Sequence, residues 1–479
     1  MDLYDSLLVA SQANPDKVFL SNATESHTYR EVFEAAQELA DRMREVATPD
    51  RPCMIQADSI SAGVAVLACL SIRKPFVPIS GSTPEARFHY LCEDSGSDLL
   101  VRDRVVERGL PGNRAVRPSL ESIECASEPW TTVGDPADVA CLIYTSGSTG
   151  MPKAVVCSRK SVTFAVQAID EALQYRPSDV VVTALPIFFD FGLYQVFLAA
   201  RNGASLYFAT ELESSMGLSD LLERTGATIL PMVPPAAEKL VRLIKRGLRS
   251  HRVRQISTTG AAMNAETRLA IERSWGGAVD LRVMYGLTEC KRVAIMPEGE
   301  SYERLEAVGR PLTGTAVTIR VPESLEVVSN GESGEICIEG PHVMNGYHRQ
   351  PELTAERFVA LGDRVLLRTG DIGWIDDDGY LHCRGRSDGQ FKVQGYRVSA
   401  DEVLAAAYSA PNVDSAAVVP PSDTSRYALF YEGRSTIDEV KDAMRGQLDA
   451  YAIPATIKRM DSLPLTENGK VDINELERM

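Results

Sequence analysis

Val139-Ala140-Cys141-Leu142-Ile143-Tyr144-Thr145-Ser146-Gly147-Ser148-Thr149-Gly150-Met151-Pro152-Lys153-Ala154-Val155-Val156 is the stretch that decides how the chain is read. An apolar run with the character of a buried strand feeds a loop made only of Thr, Ser and Gly. Pro152 and Lys153 follow, and a second apolar run begins. Small residues let the backbone come close to a polyphosphate, and their N–H and hydroxyl groups donate hydrogen bonds to it. Lys153 adds a point charge for phosphate oxygens. A loose surface string of Ser and Gly would not ordinarily lie between two strand-like runs. The spacing G-x-x-x-x-G-K-[ST] is absent, so this is no Walker A loop. The stretch predicts a nucleotide triphosphate site of another design.

Outward from that loop the pattern is α/β. Towards the N-terminus, Cys53–Gln56 and Leu99–Val101 read as short strands around a small-residue helix at Ser59–Ile72, while residues 1–50 read as helical. Residues 103–137 read as a loop region. Towards the C-terminus, Asp179–Ala184, Leu206–Ala209 and Ala227–Leu230 read as strands, Gln255–Ala262 as a strand ending in a small-residue turn before a helix, and Leu281–Glu289 as a strand ending in a polar loop. That alternation predicts parallel pairing. Small and polar residues follow the strand ends, where α/β sheets place their ligands. One carboxylate, Asp190, stands inside the apolar run Leu185–Tyr194 and must be paired, exposed or waiting for a ligand. An N-cap for a helix starting near Phe191 is a further reading of it. From about residue 306, Gly-rich turns separate short alternating strands, which predicts a β-barrel-like subdomain. Gly385–Gln390 reads as a boundary, and a small α+β pattern fills the remainder.

The 479 residues are too many for one core and suggest two or more domains. The formal net charge of -16 disfavours nucleic acid as a partner. Nine cysteines, an odd number with no C-x-x-C pair, make neither a disulfide framework nor a zinc site. They read as reduced thiols. The acidic start Met1–Asp5 lacks the regions of a signal peptide, and no apolar run reaches membrane-spanning length. A cytoplasmic protein without a membrane partner is expected.

Five motifs in order carry a resemblance: Thr145–Lys153, Tyr285-Gly286-Leu287-Thr288-Glu289, Thr369-Gly370-Asp371, Gly385-Arg386-Ser387-Asp388 and Asn468-Gly469-Lys470-Val471-Asp472. Together they resemble the adenylate-forming superfamily of acyl-CoA synthetases, firefly luciferases and nonribosomal-peptide adenylation domains, over roughly residues 1–475. The resemblance implies a large N-terminal domain at 1–386, a hinge at 387–390 and a small mobile domain at 391–479. It implies ATP and Mg²⁺ as cofactors. Thr145, Ser146, Gly147, Ser148, Thr149, Gly150 and Lys153 would hold phosphate. Thr288 would contact phosphate and Glu289 would hold Mg²⁺. Tyr285, Gly286, Gly260 and Ala261 would receive adenine, and Asp371 with Arg386 the ribose. Lys470 would bridge the substrate carboxylate and the α-phosphate, stabilising charge as pyrophosphate departs. Asp388 would be the hinge. Gly395-Tyr396-Arg397 would approach a pantetheine arm.

In peptide-synthetase adenylation domains, an aspartate at the place of Asp190 binds the substrate ammonium. The resemblance therefore implies an amino acid, with Phe191, Tyr194, Ala236, Ser257, Thr259, Met284, Arg292 and Val293 as further pocket positions. Phe191, Tyr194 and Met284 would favour a small or medium side chain. Cys290-Lys291-Arg292 departs from the usual small or apolar residues. Arg292 is open to three readings: a partner for Asp190, a contact for a polar substrate group, or part of an outward-facing charge pair. No carrier domain follows, so the expected acceptor is the phosphopantetheine thiol of a separate acyl or peptidyl carrier protein. The alternative is an acyl-CoA ligase acting on a non-amino acid with free CoA.

Overall fold

The computed structural model describes residues 2–48, 50–57, 60–103, 118–123, 130–145, 151–210, 213–214, 217–245, 252–260, 263, 265–275, 278–386, 390–393, 395–421, 427–464 and 471–479. Packing divides the chain into two compact units. Met1–Gly81, Ser95–Ile143 and Ala154–Gly385 form the first; Ser82–Asp94, Tyr144–Lys153 and Arg386–Met479 form the second.

The centre of the first unit is a run of parallel strands, Ser205–Phe208, Val180–Thr183, Ile229–Met232, Gln255–Thr258 and Asp280–Tyr285. Their Val, Ile and Leu side chains are buried on both faces, which continuous apolar runs in a parallel sheet require. Helices Asp190–Asn202, Leu218–Thr225, Pro234–Lys245 and Ala265–Trp275 connect them. Beyond Asp280–Tyr285 the sheet turns antiparallel through Ala294–Ile295 and Ala307–Pro311. It continues into Leu381–Arg386, Arg364–Ile375, Gly334–Glu339 and Ala316–Arg320. The β-rich region expected after residue 306 is thus joined edge to edge to the parallel sheet. A second sheet has the order Ser119–Ser122, Leu99–Arg102, Cys53–Gln56, Phe76–Pro78, Val139–Thr145, Lys153–Ser158.

The first 50 residues are not wholly helical. Between helices Leu3–Ala13 and Tyr29–Val46 lie two strands, Val18–Ser21 and Ser26–Thr28. Val18–Ser21 pairs antiparallel with Ser26–Thr28 and in parallel with Ser205–Phe208, so a segment far along the chain helps to set its conformation. Thr28 closes the helix start with a capping box to Glu31. The helix expected at 59–72 is Ile60–Ser71, and its Ala, Gly and Val residues are buried all round.

In the second unit, Val413–Val419 and Ala428–Gly433 pair antiparallel and Thr456–Met460 joins in parallel. Helices Ala400–Tyr408 and Ile437–Arg445 enclose a core that includes Val403, Leu429, Tyr431, Val440 and Met444. Arg87, from the helix Glu85–Ser95, donates to Glu402 Oε1 at 2.6 Å and lies 3.3 Å from Asp449 Oδ2. Burial opposes the Arg87 charge, but Asp449 and Glu402 outweigh it and hold the guanidinium above its ordinary pKa.

Candidate active site

The parallel strands of the first unit aim their carboxyl ends at one edge, and the loops leaving that edge carry the candidate residues. After Val180–Thr183 the chain passes Leu185 and Pro186 and enters the helix Asp190–Asn202. Gly192 makes this entry possible, because a Cβ there would stand 2.2 Å from the Pro186 carbonyl oxygen. Asp190 is buried, 5% exposed, in the first turn, where the helix dipole favours a carboxylate. It is not the N-cap. Phe189 holds that position and makes no side-chain cap bond, because the helix begins at Asp190 itself, one residue before the expected start.

The loop after Asp280–Tyr285 folds back on its own strand. Val293 N–H donates to the Tyr285 carbonyl, and Cys290 N–H to that of Leu287. The turn brings the Lys291 carbonyl to where a Cβ on Gly286 would be 1.8 Å away. Lys291 itself adopts a φ of 61°. Its Nζ lies 3.9 Å from Asp190 Oδ2, with the two side chains 1% and 7% exposed. Arg292 Nη1 donates to the Lys291 carbonyl, and its Cζ stands 5.0 Å from the centre of the Phe191 ring. Two of the sequence readings of Arg292 are corrected here. It is buried rather than outward-facing, and the cation in ion-pair range of Asp190 is its neighbour Lys291. From the loop, the Arg292 side chain meets Phe191, while Lys291, at positive φ, is turned towards Asp190.

Burial acts against the Lys291 ammonium, but Cys157 and Asp190 outweigh it and hold its pKa above the ordinary lysine value. Arg292 is drawn below its ordinary value by burial, with Asp190 opposing. Neither Lys291 Nζ nor Tyr194 Oη has a nitrogen or oxygen hydrogen-bond partner among the described residues, and the acceptor beside Lys291 is the Cys157 sulfur. Lys291 Nζ also stands 5.9 Å from the centre of the Tyr194 ring. Asp190, Phe191, Tyr194, Lys291 and Arg292 therefore form one buried group. The other pocket candidates occupy the same sheet edge: Ala236 in the helix Pro234–Lys245, Ser257 and Thr259 at the end of Gln255–Thr258, and Met284 and Val293 on either side of the turn.

Among the nucleotide candidates, Tyr285 Oη donates to Asp371 Oδ2 at 2.5 Å, both residues being buried. Burial and then Asp371 push the Tyr285 hydroxyl far above its ordinary pKa, so it stays a donor. Thr369-Gly370-Asp371 lies in the strand Arg364–Ile375, where Gly370 has a φ of 74° and Thr369 Oγ1 accepts from Asp371 N–H. Glu289 is buried, and its Oε1 accepts from Tyr347 Oη at 2.8 Å. Thr288 and Glu289 offer oxygen donors, which suits Mg²⁺ completed by phosphate oxygens and water. No cluster of three His, Cys, Asp or Glu side chains among the described residues offers an all-protein metal cage. In the second unit, Lys153 and Thr145 are buried, with Thr145 Oγ1 3.5 Å from the Lys153 carbonyl. Ser146, Gly147, Ser148, Thr149, Gly150, Ala261, Asp388 and Lys470 lie outside the described residues, as does the side chain of Arg386.

Sequence reasoning missed Lys291 as a pocket residue and Tyr347 as the partner of Glu289. The signal for Lys291 was present, since a lysine directly after Thr288-Glu289-Cys290 and before a strand must go inward or outward. Tyr347 left no local signal.

A sheet whose strand ends gather a buried carboxylate, a Tyr–Asp pair and a Thr-Glu turn, with a separate small α+β unit, is the architecture of an adenylate-forming ligase. The chain belongs to the AMP-binding enzyme family, whose model matches residues 8–348, and the family's C-terminal domain matches residues 402–470. It is 28% identical to zwittermicin A synthase ZmaJ of Bacillus cereus, over 96% of this chain and 91% of ZmaJ. Other curated relatives are far longer, and the chain spans 6% to 43% of their length. Amide bond synthetase McbA from Marinactinospora thermotolerans shares the fold with a TM-score of 0.84, at 23% identity over 100% of this chain and 99% of McbA. VinN, solved in complex with L-aspartate, is 28% identical over 80% of this chain and 98% of VinN, with a TM-score of 0.67. The protein is an AMP-forming ligase, and enzymes of this family use ATP with Mg²⁺. No helix among the described residues is long and apolar enough to cross a membrane.

Proposed function

We propose that this ligase activates an amino acid and then passes it to the phosphopantetheine thiol of a separate carrier protein. In the first step a carboxylate oxygen of the substrate attacks the α-phosphorus of ATP. The new bond makes a mixed anhydride of the carboxylic acid with AMP, and the bond between the α-phosphorus and pyrophosphate breaks. In the second step the thiol sulfur attacks the acyl carbon, a thioester forms and AMP leaves. The observation that carries the amino-acid reading is Asp190, a buried carboxylate at the ligand edge of the sheet. Lys291 Nζ, 3.9 Å away, stays beyond hydrogen-bond distance, so a substrate ammonium can donate directly to Asp190 and a plain acid cannot. The peptide-synthase relatives and the L-aspartate complex of VinN support the same reading.

Within it, Thr145–Gly150 and Lys153 grip the phosphates, Thr288 contacts phosphate and Glu289 holds Mg²⁺, which screens the phosphate charge. Tyr285 and Gly286, with Gly260 and Ala261, receive adenine. Asp371, anchored by Tyr285, and Arg386 hold the ribose. Lys470 stabilises the charge that develops between the carboxylate and the α-phosphate. The division into residues 1–386 and 391–479, with Asp388 as hinge between them, belongs to this proposal. Its test is ATP–pyrophosphate exchange over a panel of acids, followed by thioester formation with a carrier bearing a free phosphopantetheine thiol or with CoA. Amino-acid-dependent exchange that Asp190→Ala abolishes is expected, with transfer to the carrier. Exchange driven only by fatty or aryl acids refutes the amino-acid reading, and transfer to CoA alone refutes the carrier.

A further inference from the structure

The group around Asp190 holds more positive charge than an amino acid's ammonium can use. One carboxylate, Asp190 in the first turn of its helix, faces two buried cations, Lys291 and Arg292, on the loop after Asp280–Tyr285 at the ligand edge of the sheet. Lys291 is within ion-pair distance of Asp190 but donates no hydrogen bond to it, and beyond the Cys157 sulfur its ammonium finds no acceptor among the described residues. Arg292 donates one bond to a backbone carbonyl and lies against the Phe191 ring. Buried charges without compensation are expensive, so such an excess persists where something supplies the missing anion. When a substrate ammonium takes Asp190, the imbalance grows by one unit and Lys291 loses its only carboxylate. A substrate with no second anion would leave two cations buried and unpaired.

We propose that Lys291 and Arg292 form an anion subsite, and that the substrate is an amino acid carrying a second carboxylate. The proposal rests on the amino-acid reading of Asp190. One carboxylate of the substrate reacts with ATP, the ammonium meets Asp190, and the second carboxylate lies between the Lys291 ammonium and the Arg292 guanidinium. Such charge-assisted bonds are stronger than neutral ones, and a guanidinium can hold a carboxylate through two parallel N–H donors. The orphan Tyr194 hydroxyl on the same wall offers a third donor. Phe191 and Tyr194 narrow the pocket, which selects a short chain of the aspartate type. A site that hydrogen-bonds a substrate group rejects the analogue lacking it far more strongly than an apolar pocket rejects a missing methylene.

Two other ionisable side chains face Lys291, the buried thiols of Cys157 and Cys141. A Cys157 thiolate would balance the ammonium without any substrate anion, so the experiment separates the two cases. ATP–pyrophosphate exchange is measured with the full enzyme on the twenty standard amino acids, β-alanine and succinate. Alanine and β-alanine are aspartate without one or the other carboxylate, asparagine is its neutral isostere, and succinate lacks the ammonium. Aspartate is expected to exceed alanine, β-alanine and asparagine by about 100-fold or more in kcat/KM. Lys291→Met with Arg292→Gln is expected to collapse that ratio, mainly through the KM for aspartate, while exchange with alanine stays measurable. A wild-type preference for neutral amino acids overturns the anion subsite and leaves the amino-acid reading intact. A variant that loses all amino acids equally also overturns it, because Lys291 then serves the reacting carboxylate; the single Arg292→Gln variant, with unchanged urea unfolding, checks that this loss is not misfolding. Succinate as good as aspartate, with Asp190→Ala harmless, defeats the underlying amino-acid reading instead.

Discussion

Replacing Gly286 by alanine tests whether the turn after Asp280–Tyr285 sets the substrate pocket. The added Cβ would stand 1.8 Å from the Lys291 carbonyl oxygen and 2.9 Å from Arg292 Cα. Contacts below 3.0 Å are essentially never made by a real Cβ, and the nearest atom is backbone rather than the tip of a flexible side chain. The loop must therefore retreat by the difference between 1.8 and 3.0 Å, carrying Lys291 and Arg292 with it. Overpacking of this kind destabilises by about 1–3 kcal/mol, because neighbouring chain and rotamers shift together. A misplacement of about 1 Å in a positioning group lowers a reaction rate by about 100-fold. Substrate-dependent pyrophosphate exchange should fall by about that factor while urea unfolding shows a native, modestly destabilised protein. Wild-type stability with kcat/KM within about threefold of wild type would show that the turn has room for the methyl group and does not position the pocket.

Four further outcomes are expected. Asp190→Asn leaves the Lys291 ammonium buried without its carboxylate and should cost about 3 kcal/mol in unfolding free energy, with Asp190→Asn plus Lys291→Met recovering part of it; equal loss in the single and double variants would show no coupling between them. Arg87→Leu removes the cation from Glu402 and Asp449, and Glu402 already sits above its ordinary pKa, chiefly through burial. A carboxyl raised in the folded state destabilises as pH rises through its ionisation, so the variant should show faster hydrogen exchange than wild type in Ala400–Tyr408 above the ordinary carboxyl range, with the gap closing as pH falls. Burial lowers His342 to about 4. The unfolded chain protonates first as pH falls below about 6.5, so unfolding free energy should drop by about 3 kcal/mol between there and pH 4, a slope that His342→Phe should remove in urea titrations. Asp388→Pro should leave pyrophosphate exchange largely intact and impair thioester formation; equal loss of both would remove Asp388 from the hinge role.

The parallel run from Val180 to Tyr285 was legible because buried parallel strands are short, continuous and apolar, each followed by polar residues where ligands bind. The ordered motifs named the chemistry. What stayed hidden depended on distant partners. Val18–Ser21 pairs with nearby Ser26–Thr28 but joins the sheet through distant Ser205–Phe208, and Tyr347 meets Glu289 from 58 residues away. Asp190 was recognised as an anomaly, but its cap role failed by one residue of helix phase. At Lys291 and Arg292 the charges were visible, whereas their direction depended on a positive φ that no residue type at 291 announces.

Product analysis after incubation with ATP, Mg²⁺ and the preferred amino acid tests the central claim most directly. Separation by liquid chromatography with mass detection should show an aminoacyl-adenylate and pyrophosphate, formed only when the amino acid is present and absent with its deamino analogue. ADP with inorganic phosphate, or adenylate formation indifferent to the amino group, would contradict an amino-acid-adenylating enzyme built around Asp190.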